Sequence, residues 1–261
     1  MIKKKYLVYS ICIVFMLFAS FYDLKIDQYL YDPNNLFGLF FQNYVLNIIY
    51  LILPFTIMSF YRIHKKSIYL CLSFLACFYL AYPLRNYVPL NNEILKVSIL
   101  AIVIMMVIAF FVKIMPLKFL KDYEKVGMLF CLLLLTSTIV INIIKPFWGR
   151  VRFRQMEDIT QFTAWFLPQG FTGYYSFPSG HTAMASTILC LCAIPDYVPE
   201  KRANKKTYVI LSFSFIILMG LSRMIVGAHF LSDVTAGFLV TYTLYLLLRK
   251  QFRRWEKTQW L

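Results

Sequence analysis

Two of the three histidines in this chain stand among residues suited to phosphate chemistry. His181 closes the run Pro178-Ser179-Gly180-His181, which joins a polar stretch containing Gly170, Gly173, Tyr174 and Tyr175 to an apolar run beginning at Thr182. A helix starting there aims unpaired backbone N–H groups and the positive end of its dipole at whatever precedes it, which attracts an oxyanion. Ser179 adds a hydroxyl donor, Gly180 permits close backbone approach, and the imidazole of His181 can carry a proton near neutral pH. By itself the run is equally a capped helix entry with a surface histidine. His229 is followed four residues later by Asp233, so on a helix the two share a face. The carboxylate can then accept from one ring nitrogen and leave the other free to attack. Arg150, Arg152 and Arg154 alternate. In an extended segment all three point the same way, toward a second phosphate or a headgroup, or simply toward anionic lipid. The third histidine, His64, lies in a basic turn and reads as a solvated loop residue.

The elements that must position these groups are membrane helices. Sixty per cent of the 261 residues are apolar and 18% aromatic, and repeated apolar runs approach 20 residues, the length of a membrane span. The pattern predicts an all-α, polytopic transmembrane helical bundle of six to eight spans, with eight as the working count: residues 6–22, 44–61, 67–84, 94–115, 126–144, 182–198, 207–223 and 230–248. Residues 23–43 read as a polar, partly interfacial segment. The first run resembles a signal peptide but lacks a small-residue cleavage site, so it is kept as a span. A single membrane domain over 1–261 is expected, with motif-free spans in 1–125, a catalytic core in 126–248 and a basic cytoplasmic tail in 249–261.

A net charge of +15 in a soluble chain would suggest nucleic acid, but here the basic residues cluster between spans, as orientation signals do. With eight spans, one side holds 19 of the 27 Lys and Arg residues and is assigned to the cytoplasm. Of the remaining cations, Lys145, Arg150, Arg152, Arg154 and Arg223 are bunched on the outer face, where a topology signal would not put them. A binding role explains them better. The six cysteines fall inside apolar runs without metal-type spacing, so neither disulfides nor a zinc site is expected.

Lys145-x6-Arg152, Pro178-Ser179-Gly180-His181 and Ser222-Arg223-x5-His229-x3-Asp233 together resemble the three-part signature of the type 2 phosphatidic acid phosphatase superfamily, which includes the vanadium haloperoxidases. The resemblance covers residues 145–233. It departs from the family where Phe153 stands in place of the usual Pro after the first-motif arginine. The resemblance implies His229 as nucleophile, Asp233 as its orienting group and His181 as the acid that protonates the leaving oxygen. It also implies Lys145, Arg152, Ser179, Gly180 and Arg223 as phosphate-binding residues, with Arg150 and Arg154 as candidate headgroup ligands. No metal or other cofactor is required. The implied activity is metal-independent removal of phosphate from a membrane lipid phosphate or diphosphate, through a phosphohistidine, at the extracytoplasmic face of the plasma or inner membrane. A phospholipid or polyprenyl phosphate would be the substrate, with membrane lipids around it, no nucleic acid and no obligate protein partner. A lipid phosphotransferase using the same intermediate and a non-enzymatic lipid-binding membrane protein remain alternatives; a haloperoxidase is disfavoured by the spans.

Overall fold

The computed structural model describes residues 2–87 and 91–258. Residues 88–90 of the expected loop at 85–93, the last three residues of the expected basic tail and Met1 lie outside the described residues. In chain order the helices are α1 (Ile2–Leu30), α2 (Leu36–Phe40), a π turn (Phe41–Val45), α3 (Leu46–His64), α4 (Ile68–Ala81), α5 (Glu93–Ile114) and α6 (Leu117–Trp148). Then come α7 (Gly180–Ala185), a 3₁₀ stretch (Ser186–Ala193), α8 (Ile194–Tyr197), α9 (Lys205–Ile225) and α10 (Leu231–Thr258). No strand occurs among the described residues.

Among the described residues, seven helices are long and apolar enough to cross a membrane: Lys5–Leu30, Leu36–His64, Ile68–Arg85, Glu93–Ile114, Leu117–Trp148, Pro199–Ile225 and Leu231–Arg254. The first runs on well past the expected end at residue 22, carrying Asp23 and Asp27 into the helix. What looked like an interfacial segment is largely helical too, since Leu36 opens the second span. Asn35 starts it by accepting the Gly38 N–H. The expected span at 182–198 is absent from the seven. It is instead α7, the 3₁₀ stretch and α8 in succession, and nearly every residue from Thr182 to Cys190 is buried. Its residues up to Cys192 run antiparallel to α9. Ser212 donates to the Ile188 carbonyl at 3.2 Å and Cys192 reaches the Tyr208 carbonyl at 3.8 Å. A segment buried over most of its length does not need the continuous apolar surface that the seven helices show.

The chain divides into two compact units. One comprises Asn47–Cys131 and Ala193–Asn204. Its core is Met58, Cys77, Ala81, Val97, Ala101, Ile108, Val112 and Leu120, chiefly where α4 packs on α5. Here Arg62 donates to the Val112 and Met115 carbonyls that end α5, and His64 meets Glu124. The other unit comprises Met1–Leu46, Leu132–Cys192 and Lys205–Leu261, and holds all the residues of the three motifs. In it α1 lies along α10, and α7 contacts both α9 and α10. Trp148 stacks on Phe177 at 4.5 Å and donates to the Trp165 carbonyl. Trp165 donates to Ser20 and to the Met16 carbonyl, fastening the 149–179 loop to α1.

Candidate active site

Each motif sits where a helix begins or ends. Lys145 lies in the last turn of α6, which Gly149 terminates: its φ is +56° and an added Cβ would fall 1.9 Å from the Gly170 carbonyl oxygen. Only glycine fits there. At the end of α9, Gly227 (φ +61°) turns the chain so that His229 follows Arg223 closely, with the Ala228 and His229 N–H groups both donating to the Arg223 carbonyl. Asp233 is the third residue of α10. Its Oδ2 accepts the Phe230 N–H at 2.9 Å, so the carboxylate caps the helix from within.

The motifs meet in space. The Ser179 N–H donates to the Asp233 carbonyl at 2.9 Å, tying the second motif to the third. Lys145 donates to the Tyr175 carbonyl at 3.1 Å, and its Nζ lies 3.6 Å from where a Cβ on Gly180 would stand. The His181 and His229 rings are 6.5 Å apart between centroids. Burial, then Arg223, His229, Lys145 and Arg152, depress the His181 pKa to about 2; burial depresses that of His229 to about 4 against the opposing pull of Asp233. Both imidazoles are therefore neutral near pH 7 in the unliganded site. Burial, with Arg154 beside it, also pulls the Arg152 guanidinium below its ordinary value. Buried Nε atoms of Arg152 and Arg223 have no hydrogen-bond partner. Among the described residues, none of Lys145, Arg152, Arg154 and Arg223 is paired with a carboxylate. An anion would meet uncompensated positive charge there.

Several side chains differ from expectation. His229 Nδ1 is 3.7 Å from Asp233 Oδ2, in ion-pair range but without a hydrogen bond, because that oxygen already takes the Phe230 N–H and the Ser176 hydroxyl at 2.5 Å. Ser179 is fully buried and its hydroxyl is shared with Thr182, accepting the Thr182 N–H and meeting Oγ1 at 3.0 Å. It caps α7 and is directed into that cap. The three alternating arginines do not share a face, since a 3₁₀ turn over Phe153–Gln155 breaks the extended backbone. Arg150 is 1% exposed, so it is not presented to a headgroup. Its Nη1 donates to Asp233 Oδ1 and Ser232 Oγ at 2.7 Å each, its Nη2 to Asp23 Oδ2 at 3.0 Å and its Nε to the Thr163 carbonyl. The guanidinium also lies 4.1 Å over the Phe230 ring. Arg154 is exposed and shares the Gln42 side-chain oxygen with Arg223, which also donates to the Gly38 carbonyl. Phe153 packs edge-on against Tyr31 at 5.1 Å.

Sequence reasoning did not single out Asp23, Ser176, Ser232 or Gln42. Asp23 directly follows the first apolar run, and only the extension of α1 to Leu30 places it within a span, where an acid is expected to have a buried partner. Asp27, one turn further on, is wholly buried with neither carboxyl oxygen hydrogen-bonded.

A family model described as the PAP2 superfamily matches residues 126–257. The chain is 29% identical to phosphatidylglycerophosphatase B of Bacillus subtilis over 136 residues, 49% of this chain and 62% of that protein. It is 31% identical to lipid A 1-phosphatase of Rhizobium johnstonii over 102 residues, 39% of this chain and 37% of that protein. Less than two thirds of each relative is thus spanned. The crystal structure of a transmembrane PAP2 type phosphatidylglycerolphosphate phosphatase from Bacillus subtilis matches with a TM-score of 0.40 and 20% identity, over 80% of this chain and 95% of that one.

Proposed function

The chain belongs to the PAP2 superfamily, and from that premise we propose that it is a metal-independent phosphatase removing phosphate from a membrane lipid phosphate or diphosphate through a phosphohistidine. The observation that carries the reading is the placement of two imidazoles, 6.5 Å apart, beside cations that, among the described residues, lack acidic partners. The relatives' names, a phosphatidylglycerophosphatase and a lipid A 1-phosphatase, support a lipid phosphate as substrate.

Phosphate enters among Lys145, Arg152 and Arg223, with the Gly180 N–H facing it. Because Nδ1 of His229 faces Asp233, Nε2 is the nitrogen that attacks phosphorus. The P–N bond forms as the P–O ester bond breaks, and the electron pair goes to the leaving oxygen, which takes a proton from His181. The imidazolium created on His229 is stabilised by Asp233, and the cations hold the equatorial oxygens as charge redistributes. Water then attacks phosphorus, giving its proton to His181, and the P–N bond breaks. Lys145, Arg152 and Arg223 already supply the positive charge that a metal ion would bring. His181 must gain a proton before it can act, and a dianion bound among the cations that depress its pKa reverses their effect. The site faces the extracytoplasmic side of the cell membrane, opposite the loops that carry most of the basic residues.

The test uses the purified full chain in detergent with glycerolipid monophosphates, polyprenyl phosphates and diphosphates, and a phosphorylated glucosamine lipid. Inorganic phosphate should be released from at least one of them, undiminished by EDTA and blocked by vanadate. Restoration of an EDTA-treated sample by a divalent ion would overturn the metal-free mechanism. Label passing to an acceptor lipid instead of water would make the protein a transferase.

A further inference from the structure

We infer that Asp23, on the first helix and outside the stretch matched by the family model, is a positioning residue for this reaction, acting on Asp233 through Arg150. The inference rests on the phosphohistidine reading above. Arg150 lies between two carboxylates, 2.7 Å from Asp233 Oδ1 and 3.0 Å from Asp23 Oδ2, and all three side chains are at most 1% exposed. Ser232 closes the ring: its N–H donates to Asp23 Oδ1 at 3.0 Å, and its hydroxyl is bonded to Asp23 Oδ2 while accepting from Arg150. Asp23 thus grips the start of α10 one residue before Asp233.

The charges give the arrangement its consequence. Arg150 alone would neutralise Asp233, leaving it little excess charge to offer an imidazolium. Asp23 neutralises Arg150 from the other side, so the buried group Asp23–Arg150–Asp233 carries one net negative charge. Attack by His229 on phosphorus creates one positive charge, 3.7 Å from Asp233 Oδ2. In a site without bulk water this balance is worth far more than at a surface. Because the imidazolium exists only once the P–N bond forms, Asp23 should influence the chemical step and leave the binding of ground-state phosphate alone.

Asp23→Asn in the full chain keeps the shape and the acceptor for the Ser232 N–H while removing the charge. The expected result is a kcat ten- to a hundredfold lower with KM within threefold. Competitive inhibition by inorganic phosphate should stay within threefold, whereas inhibition by vanadate, which bonds to the imidazole, should weaken in step with kcat. A packing role would move both inhibitors together or neither. The inference is overturned by a folded Asp23→Asn protein with wild-type kcat, or by one in which phosphate binding falls as far as kcat. If Asp23→Asn does not fold, Asp23→Asn with Arg150→Met leaves no unpaired guanidinium in the interior. That variant leaves Asp233 to carry the single negative charge alone, so it should fold with kcat within tenfold of wild type, and a folded double variant that loses a hundredfold or more would overturn the inference. Phosphate release by wild type in the same EDTA-containing assay reports separately on the phosphatase reading, so the two failures are distinguishable.

Discussion

Gly237→Ala should damage this protein through one contact. Gly237 lies in α10 against the second motif, and a Cβ there would stand 2.4 Å from the Ser179 carbonyl oxygen, 3.3 Å from its carbonyl carbon and 3.4 Å from the Ala183 nitrogen. All three are backbone atoms, so no side chain can swing away. Relieving the clash to an ordinary contact needs roughly 1 Å of displacement, and the moving piece carries Gly180 and His181. Meanwhile Asp233 stays with α10, so the second and third motifs part. A misplacement of about 1 Å in a catalytic constellation can lose roughly 100-fold in rate. Stability moves less: overpacking costs about 1–3 kcal/mol, and Ala in place of Gly in a helix returns about 1 kcal/mol. The paired control is Gly220→Ala, whose Cβ would meet Val234 at an ordinary 3.6 Å. It should gain helix propensity with activity within twofold. Phosphate release and thermal unfolding in detergent measure both variants. Should Gly237→Ala keep more than half the wild-type rate and melt higher, as Gly220→Ala is expected to, the close approach of α10 to Ser179 is wrong.

Acid should destabilise the protein through the two histidines of the site. With folded values of about 2 for His181 and about 4 for His229, the unfolded chain binds protons below its ordinary value near 6.5 that the folded chain refuses. Their contribution to stability is thus whole above about pH 6.5 and is lost as pH falls toward 4, about 2 kcal/mol for each at pH 5. Thermal unfolding from pH 7 to 4.5 should show the fall, and the His181→Gln, His229→Gln double variant should flatten it; an unchanged slope would refute the burial argument. Sidedness is checked with single cysteines at Gln155 and Gln161, both exposed, in a chain whose native cysteines are serine. An impermeant thiol reagent should label them in intact cells, and labelling only after permeabilisation would place the site in the cytoplasm.

Composition and spacing determined what is local in this chain. Runs of apolar residues marked most of the membrane helices, because each must bury its own backbone polar groups in lipid. Three short motifs carried the family, since the residues that meet a phosphate sit at fixed intervals around helix ends. Tertiary structure decided what depends on partners far along the chain. Arg150 is read from its neighbours as one of three outward arginines, yet it is buried because Asp23, 127 positions earlier, and Asp233, 83 later, are there to receive it. Ser179 is read as a phosphate donor, and only the fold shows that its hydroxyl oxygen also accepts the Thr182 N–H as the cap of α7. The segment at 182–198 looked like a span of the same kind as the others, and it is broken into short helical pieces that are mostly buried. Arg150 enters the interior because carboxylates wait for it there, and nothing in the local pattern around it records where on the chain they lie.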